Sequence, residues 1–373
     1  MLQNSNCYSH IIKYCQRIII AGIMLLWHCF ANAQVINGVV CDETTKKPVA
    51  DVQVYLDGTS INTITNATGR FELRSRSVFN TKLVLHHLLY KTAIINNPFG
   101  RIPDTLFIQE RLYDLPEFTV LADRFSRAQK MKAFREQFLG VTRAGKSCVI
   151  QNEDDIQLTV NMQTGRLLAS SENPIVVVND YLGYRVSFIL VDFWVQYGLS
   201  FVSLNDDYVQ SSFFAVVSYF EDLTPENRRI KRRRDNTFEL SSNYFFKSFA
   251  NDSLKENKFT LFNKQFPMDH RQYFTTKDTL MQTMICIIPE TDINKNKTFK
   301  SGTITIRAIN SGPELTGVVS VLNRRKIQSD IYFMTDSFLV DRYGNIDTID
   351  KISFSGQMGE LRAGDMLPID YEL

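Results

Sequence analysis

Residues 35–121 constrain the fold most strongly, because short alternations of apolar and polar residues are separated there by turn signals. The run 52–56 alternates and is followed by Asp57 and Gly58, a pair typical of a tight turn. The run 71–74 alternates again, after the turn residues 66–69. About eight strands of this kind, with no convincing helix between them, predict an antiparallel β-sandwich.

The pattern changes its period at Asp123–Leu139. Apolar residues recur there three and four positions apart, which predicts one buried helical stripe. The stripe consists of Phe125, Ala128, Met131, Phe134 and Phe138. Gly140 fits the end of such a helix. We therefore predict that the sandwich spans residues 34–121 and that residues 122–140 connect it to a second domain.

Residues 141–373 return to strand patterns, and they predict a larger β-rich domain with one or two helices. The chain as a whole is thus predicted to be mainly β. Strands are predicted in its first part at Gly145–Ile150, Gln157–Val160, Leu167–Ser171, Pro174–Val178, Leu182–Leu190 and Phe213–Tyr219. Thr224 and Pro225 are typical of a helix start, and that helix is predicted to run to about Ala250. Further strands are expected at 257–310, and a β-meander at 316–354 with a turn at Tyr343–Asn345.

The first 33 residues have the layout of an export signal. Lys13 and Arg17 precede the apolar run Ile18–Trp27, and Ala31 and Ala33 supply the small residues of a cleavage site. Residues 1–33 are therefore predicted to be a signal peptide. The mature chain is expected in the periplasm or at the outer membrane. It has no later run of about 18 apolar residues that would predict a membrane-spanning helix.

The balance of charge narrows the classes of possible partner. Without residues 1–33, which contain Lys13 and Arg17 and no acid, basic and acidic residues balance at 40 each. This balance gives no general attraction to nucleic acid, and no nucleic-acid partner is predicted.

Cys41, Cys148 and Cys286 are widely spaced. They are expected to be buried free thiols, although one disulfide bond stays open as an alternative.

Three segments of the first domain carry a family resemblance. Gly38–Asp42, Pro48–Val54 and Thr65–Phe71 resemble the repeating signature of carboxypeptidase regulatory-like domains. The resemblance covers residues 35 to about 121 and implies a transthyretin-like β-sandwich. Leu115–Ala122 resembles the segment that ends such domains in envelope proteins of Gram-negative bacteria.

The rest of the chain, roughly 123–373, resembles the body of exported bacterial proteins that carry such a regulatory-like domain. Cys148–Asn152, Asn173–Asn179 and Leu361–Tyr371 carry the resemblance. It is a likeness of architecture, and it implies no catalytic residue.

Catalytic interpretations find little support in the residues. After the signal the histidines are His86, His87 and His270, and neighbours in a strand point to opposite faces, which disfavours a zinc site. Ser355, in the segment Ser353–Gly359, only faintly resembles a nucleophile elbow. The acid pairs Asp154-Asp155 and Asp206-Asp207 fit solvated turns. We predict no catalytic, cofactor-binding or metal-binding residue and no cofactor.

Two clusters invite a binding interpretation. Arg228–Arg234 could contact anionic envelope lipid or polysaccharide. Alternatively it is a solvated helix face balanced by Glu221, Asp222 and Glu226. The aromatic pairs Phe213-Phe214 and Phe245-Phe246 are expected in the core rather than on a ligand platform.

The sequence favours a non-catalytic envelope protein that binds a protein or glycan partner through the loops and sheet edges of its sandwiches. The alternative is an envelope hydrolase that acts on peptide or glycan with acids assembled from distant loops. An enzyme is the less favoured of the two.

Overall fold

The computed structural model describes residues 34–78, 80–111, 124–198, 202–263, 265–279, 282–288, 317–348 and 351–373. The chain is mainly β, as predicted. The predicted signal peptide and the segment Leu115–Ala122 lie outside the described residues. No helix in the described part of the chain is long and apolar enough to cross a membrane.

The N-terminal domain is a β-sandwich of two sheets. Its strands are β1 Gln34–Asp42, β2 Gln53–Leu56, β3 Asn62–Ile64, β4 Arg70–Ser75, β5 Lys82–His86, β6 Ala93–Asn96 and β7 Thr105–Ile108. One sheet has the order β4-β1-β7 and the other β3-β2-β5-β6. The β1–β7 pair is parallel, while the other described pairs are antiparallel. Apolar side chains such as Val54, Leu73 and Leu85 fill the space between the sheets.

A six-stranded sheet follows, and one helix packs on its inner face. The helix α1 spans Arg127–Phe138, inside the predicted stripe, and a capping box of Ser126 and Gln129 starts it. The strands are β8 Cys148–Ile150, β9 Ile156–Asn161, β10 Arg166–Ser171, β11 Ile175–Asn179, β12 Tyr184–Tyr197 and β13 Val209–Asp222. Their order is β8-β11-β12-β10-β9, with β13 paired along the other side of β12.

The strand predicted at Gly145–Ile150 is wrong in its first half. The short helix α2, Arg143–Lys146, lies there, and the Thr142 side chain caps it. A Cβ at Gly145 would lie 2.4 Å from the Leu139 carbonyl oxygen. This glycine therefore lets α2 pack against the end of α1, a contact that the strand pattern could not reveal.

The C-terminal part contains two further sheets around a Phe-rich helix. Its helices are α3 Arg228–Phe238, α4 Ser242–Ala250 and α5 Gly356–Glu360. Its strands are β14 Thr260–Asn263, β15 Phe266–Met268, β16 Phe274–Asp278, β17 Gln282–Ile287, β18 Val318–Leu322, β19 Gln328–Phe333, β20 Ser337–Asp341 and β21 Ile352–Ser355. The sheet orders are β15-β14-β18-β19-β21 and β16-β17-β20.

Two predictions for this part need correction. The single helix predicted from Thr224 is divided into α3 and α4, because the Ser241 side chain caps a new helix; Asn227, not Thr224, caps α3. The meander predicted at 316–354 is interrupted, because β20 leaves it to pair with β17 in the other sheet. The strands predicted at 257–310 are described only as far as residue 288.

The N-terminal sandwich docks directly on β13. Tyr55 and Val84 from its sheet bury Val217 of β13 between them. The turn after β2 adds backbone hydrogen bonds, since the Gly58 N–H donates to the Ser218 carbonyl (2.7 Å). From the other side, the Ile369 N–H of the C-terminal tail donates to the Gly58 carbonyl (2.8 Å). Three parts of the chain therefore meet around one glycine.

Candidate functional site

A cleft opens where these three parts meet, and we call it the junction cleft. Its volume is about 930 Å³. The N-terminal sandwich, β13 with the C-terminal tail, and the C-terminal sheets each supply one wall. Its polar lining residues include Asp57, Asn80, Lys82, Asn96, Asn97, Ser218, Asn243, Gln282, Asp341, Asn345 and Asp347.

The floor of the junction cleft is the turn after β20. One carboxylate oxygen of Asp341 accepts hydrogen bonds from the N–H groups of Tyr343 and Asn345 (both 2.9 Å). The other accepts from the Asn345 side chain (2.9 Å) and the Asn80 N–H (3.3 Å). This buried carboxylate is fully occupied in holding the turn, so it is unsuited to act on a ligand.

Asn345 extends the floor to the neighbouring elements. It accepts a hydrogen bond from the Asn243 side chain on α4 (2.6 Å) and donates to the Ile369 carbonyl in the tail (3.2 Å). Gly344 has a φ of +90°, and a Cβ there would lie 1.9 Å from the Asn243 carbonyl oxygen. The turn therefore requires glycine, and the helix, turn and tail form one fixed surface.

The rim of the junction cleft differs from its floor. Asn80, Asn96, Asn97 and Gln282, each with a side-chain amide, are among the residues that line the cleft. Among the described residues these four amides form no hydrogen bond, although each can donate and accept. They come from both the N-terminal sandwich and β17. Within the described structure, the rim therefore offers donors and acceptors that are not used by other residues.

The remaining acids of the junction cleft also make structural contacts. Asp57 accepts a hydrogen bond from the Ser218 N–H (2.8 Å). Burial raises the pKa of Asp57, against the opposing effect of that hydrogen bond and of Lys82. Asp347 accepts from the Leu339 N–H (2.8 Å) and is otherwise exposed. One oxygen of each carboxylate is thus engaged in holding the backbone.

One side of β13 runs beside the cleft. The N–H and C=O groups of Ser212, Phe214 and Val216 point away from β12 on this side, and we call them the β13 edge. β12 pairs with the opposite side of β13 along its whole length. Val216 also lines the junction cleft, so the β13 edge leads directly into it.

The histidines lie on separate elements. His86 lies 3.1 Å from the Thr92 hydroxyl, and burial, with Arg111 and His87 nearby, lowers its pKa. His87 packs against the Tyr90 ring, and His270 lies 3.0 Å from an oxygen of Asp252. The described residues contain no cluster of three or more His, Cys, Asp or Glu that could hold a metal ion.

Ser355 and the two acid pairs, the other candidates for catalysis, do not line the junction cleft. Ser355 ends β21, and its hydroxyl lies 3.3 Å from Asp330 and 3.4 Å from the Tyr332 hydroxyl. Asp155 accepts a hydrogen bond from Asn152, and Asp206 accepts one from the buried Gln137 (2.6 Å). These contacts place them in turn and packing roles.

The basic segment Arg228–Arg234 forms most of α3 and is divided between structural and exposed residues. Arg234 is buried and pairs with Asp222, while Arg233 lies over the Tyr181 ring. Lys231 pairs with Asp235. The side chains of Arg228, Arg229 and Arg232 in this segment are exposed, and they form no ion pair with a described residue. Of the expected balancing acids, Glu221 pairs instead with Arg185.

The three cysteines that the structure describes are free thiols: Cys41 is buried, and Cys148 and Cys286 are partly buried. Burial, with Asp365 and Asp180 nearby, raises the pKa of Cys148 to about 12. This thiol is therefore protonated at neutral pH and a poor nucleophile.

The comparison with protein families supports the resemblance read from the sequence. Residues 36–100 match the family model described as CarboxypepD_reg-like domain. The chain therefore carries a carboxypeptidase regulatory-like domain, which forms one wall of the junction cleft. No curated protein matches the chain.

The sequence interpretation missed the rim amides and the β13 edge. Asn80, Asn96 and Gln282 have no shared local motif, because the fold alone brings them together. Phe213, which we expected in the core, is 45% exposed beside the β13 edge, since adjacent strand residues face opposite ways. One signal was present in the sequence: Val209–Phe220 contains no charged residue and no proline.

Proposed function

We propose that this chain is a non-catalytic envelope protein that binds a protein or glycan partner at the junction cleft and the adjoining sheet edge. The proposal rests on one observation: the acids of the cleft are engaged in holding the fold, while the amides of its rim form no hydrogen bond with any described residue. A catalytic site needs acids or bases that are free to exchange protons with a substrate. A binding site needs convergent polar groups in a concave surface.

The proposed location rests on the sequence of residues 1–33. Fractionation of producing cells tests it separately from binding. We expect a processed chain that begins near Gln34 in the envelope fraction. Recovery of the unprocessed chain in the cytosol would contradict the proposed location.

Binding is tested by affinity capture from an envelope extract with the chain 34–373. The test variant combines Asn96→Ala with Gln282→Ala, which removes two rim amides from opposite walls. The control is Gln163→Ala, because this exposed amide in the β9–β10 turn also forms no side-chain hydrogen bond with a described residue. We expect reproducible capture by the wild type and the control, and roughly tenfold weaker capture by the double variant, as expected for two lost hydrogen bonds. Equal capture by all three would contradict the assignment of the cleft.

A second candidate function is an envelope hydrolase, and one observation favours it. Asp57 and Asp347 come from different parts of the chain and line the same cleft. Burial raises the pKa of Asp57, which is the direction a proton donor requires. If the chain cleaves envelope peptide or glycan, Asp57→Asn should abolish cleavage without weakening capture. Cleavage that depends on Asp57 would favour the hydrolase and contradict the proposal of a non-catalytic binding protein.

A further inference from the structure

We propose that the β13 edge accepts an extended peptide segment of the partner as an added β-strand. The inference rests on the proposed binding function and names the chemical class of the partner at this site. Added strands bind through backbone hydrogen bonds, and contacts to alternate side chains give specificity.

The first observation is that this edge lacks the usual protection. Natural edge strands carry charged residues or proline, which prevent pairing with other chains. Val209–Phe220 carries neither over twelve consecutive residues. Such a strand is suited to be covered by a partner.

The second observation is that the chain itself already pairs with the same side of β13 just beyond this edge. The Ser218 N–H donates to Asp57, and the Ser218 carbonyl accepts from Gly58 (2.8 and 2.7 Å). The Phe220 N–H donates to the Thr59 carbonyl (2.9 Å), and Thr59 forms a parallel bridge with Tyr219. The turn 57–59 therefore acts as a short added strand, and the β13 edge, which forms no backbone hydrogen bond with the described part of the chain, continues this interface.

The third observation is the direction of the backbone groups. In an antiparallel pair, alternate residues direct both their N–H and C=O groups away from the partner strand. Since both groups of Ser218 point outward, those of Val216, Phe214 and Ser212 do so as well. Among the described residues, none of these outward groups forms a backbone hydrogen bond. Arg362 reaches only the Ser212 hydroxyl, at 3.4 Å.

An aromatic pair lies on the outer face beside the edge. Trp194 and Phe213 are cross-strand neighbours whose rings stack at 5.8 Å with an interplanar angle of 24°. The Arg166 guanidinium lies over the Trp194 ring, 4.9 Å from the ring centre. Trp, Phe and Arg are typical anchors of protein interfaces. Every second side chain of an added strand would face this pair, so an apolar residue is expected there.

These features favour a peptide over a glycan at the β13 edge. N–H and C=O groups that recur every second residue, and that no described backbone group pairs with, match the spacing of another strand. Sugar hydroxyls have no such repeat. The rim amides of the junction cleft can bind the continuing peptide backbone, because amides both donate and accept.

The test selects linear twelve-residue peptides from a random library on the chain 34–373. The key variant is Phe213→Lys, which removes the anchor and adds a protecting charge. The matched control is Phe107→Lys in the N-terminal sandwich, since Phe107 is 46% exposed and Phe213 is 45% exposed. We expect selected peptides to bind the wild type and the control equally, and Phe213→Lys at least roughly tenfold more weakly.

Two further measurements make the result specific to strand addition. N-methylation along a selected peptide should weaken binding at alternate positions only, because every second peptide N–H faces β13. Hydrogen exchange at Ser212, Phe214 and Val216 should slow when the peptide binds.

The outcomes separate this inference from the proposed function. Selected peptides that tolerate Phe213→Lys, or that lose affinity at every N-methylated position, would overturn the inference. The same holds if the library yields no binder while envelope capture succeeds, and the proposed function would then stand. Failure of both the library and the envelope capture would contradict the proposed function itself.

Discussion

Arg234 and Asp222 form a bidentate ion pair in which both N–O distances are 2.7 Å. The Arg234 guanidinium also lies 3.8 Å from the centre of the Tyr184 ring and donates to the Leu182 and Gly183 carbonyls. These contacts attach α3 to the strands β12 and β13. The pair converts part of a basic segment into a structural element.

Arg234→Ala should lower the free energy of unfolding by about 2–3 kcal/mol. The change removes the guanidinium from Asp222 and from the Leu182 and Gly183 carbonyls, and breaking a largely buried pair is costly. The matched control is Arg232→Ala, whose side chain is exposed, and it should change stability by less than about 0.5 kcal/mol. Urea denaturation of the three proteins measures the difference. Equal losses for both variants would contradict this role of Arg234.

Asp222 should also give part of the stability a pH dependence. Burial raises its pKa, but hydrogen bonds from Arg234 and the Thr224 N–H outweigh this effect and lower it below the usual 3.8. The pair therefore stabilises the fold fully above the unfolded-state value, and this contribution is lost as the pH falls through the lower folded-state value. The stability difference between wild type and Asp222→Asn should shrink below about pH 4. Asp154→Asn changes an exposed acid that forms no ion pair with a described residue, and it should show no such convergence.

Phe134→Ala tests the core that holds α1 on the middle sheet. The Phe134 ring is fully buried and lies 5.0 Å from the Phe138 ring and 4.9 Å from the Phe193 ring. The variant should lose about 3–5 kcal/mol, the range for a buried phenylalanine. Phe213→Ala, on the exposed face, should lose less than about 1 kcal/mol. A similar loss for both, measured by denaturant unfolding, would contradict the assigned burial.

Gly344→Ala tests the floor of the junction cleft. A Cβ at this position would meet the Asn243 carbonyl oxygen at 1.9 Å, so the turn must move. We expect a loss of at least about 2 kcal/mol and weaker partner capture, because the floor residues shift together. Gly198→Ala is the control, since its nearest atom would lie 3.7 Å away. Thermal unfolding and capture assays measure the two effects. A Gly344→Ala variant with the stability and capture of the wild type would contradict this role of the floor.

The sequence predicted those parts of the fold whose residues are close together in the chain. The spacing of Phe134 and Phe138 predicted α1, because a helix repeats within one stripe. The end predicted for β12 at Leu190 was wrong for a local reason. A bulge between Leu190 and Asp192 shifts the alternation, so Leu190 and Phe193 both contribute to the core.

The candidate site was less accessible to sequence reasoning. The rim amides lie on β-strand ends and turns that are up to about two hundred residues apart, and asparagines in turns carry no signal of shared function. The β13 edge was visible only as a charge-free strand, since its exposure depends on which strands pair with it. The unpaired groups therefore follow from the topology rather than from any motif.

The most direct test of the binding account places a photo-crosslinking amino acid at Asn96 on the rim of the junction cleft. The control carries the same amino acid at Gln163. Illumination in an envelope extract should give a defined adduct with the Asn96 protein and none with the Gln163 protein. No adduct at Asn96, or the same adducts at both positions, would contradict the account.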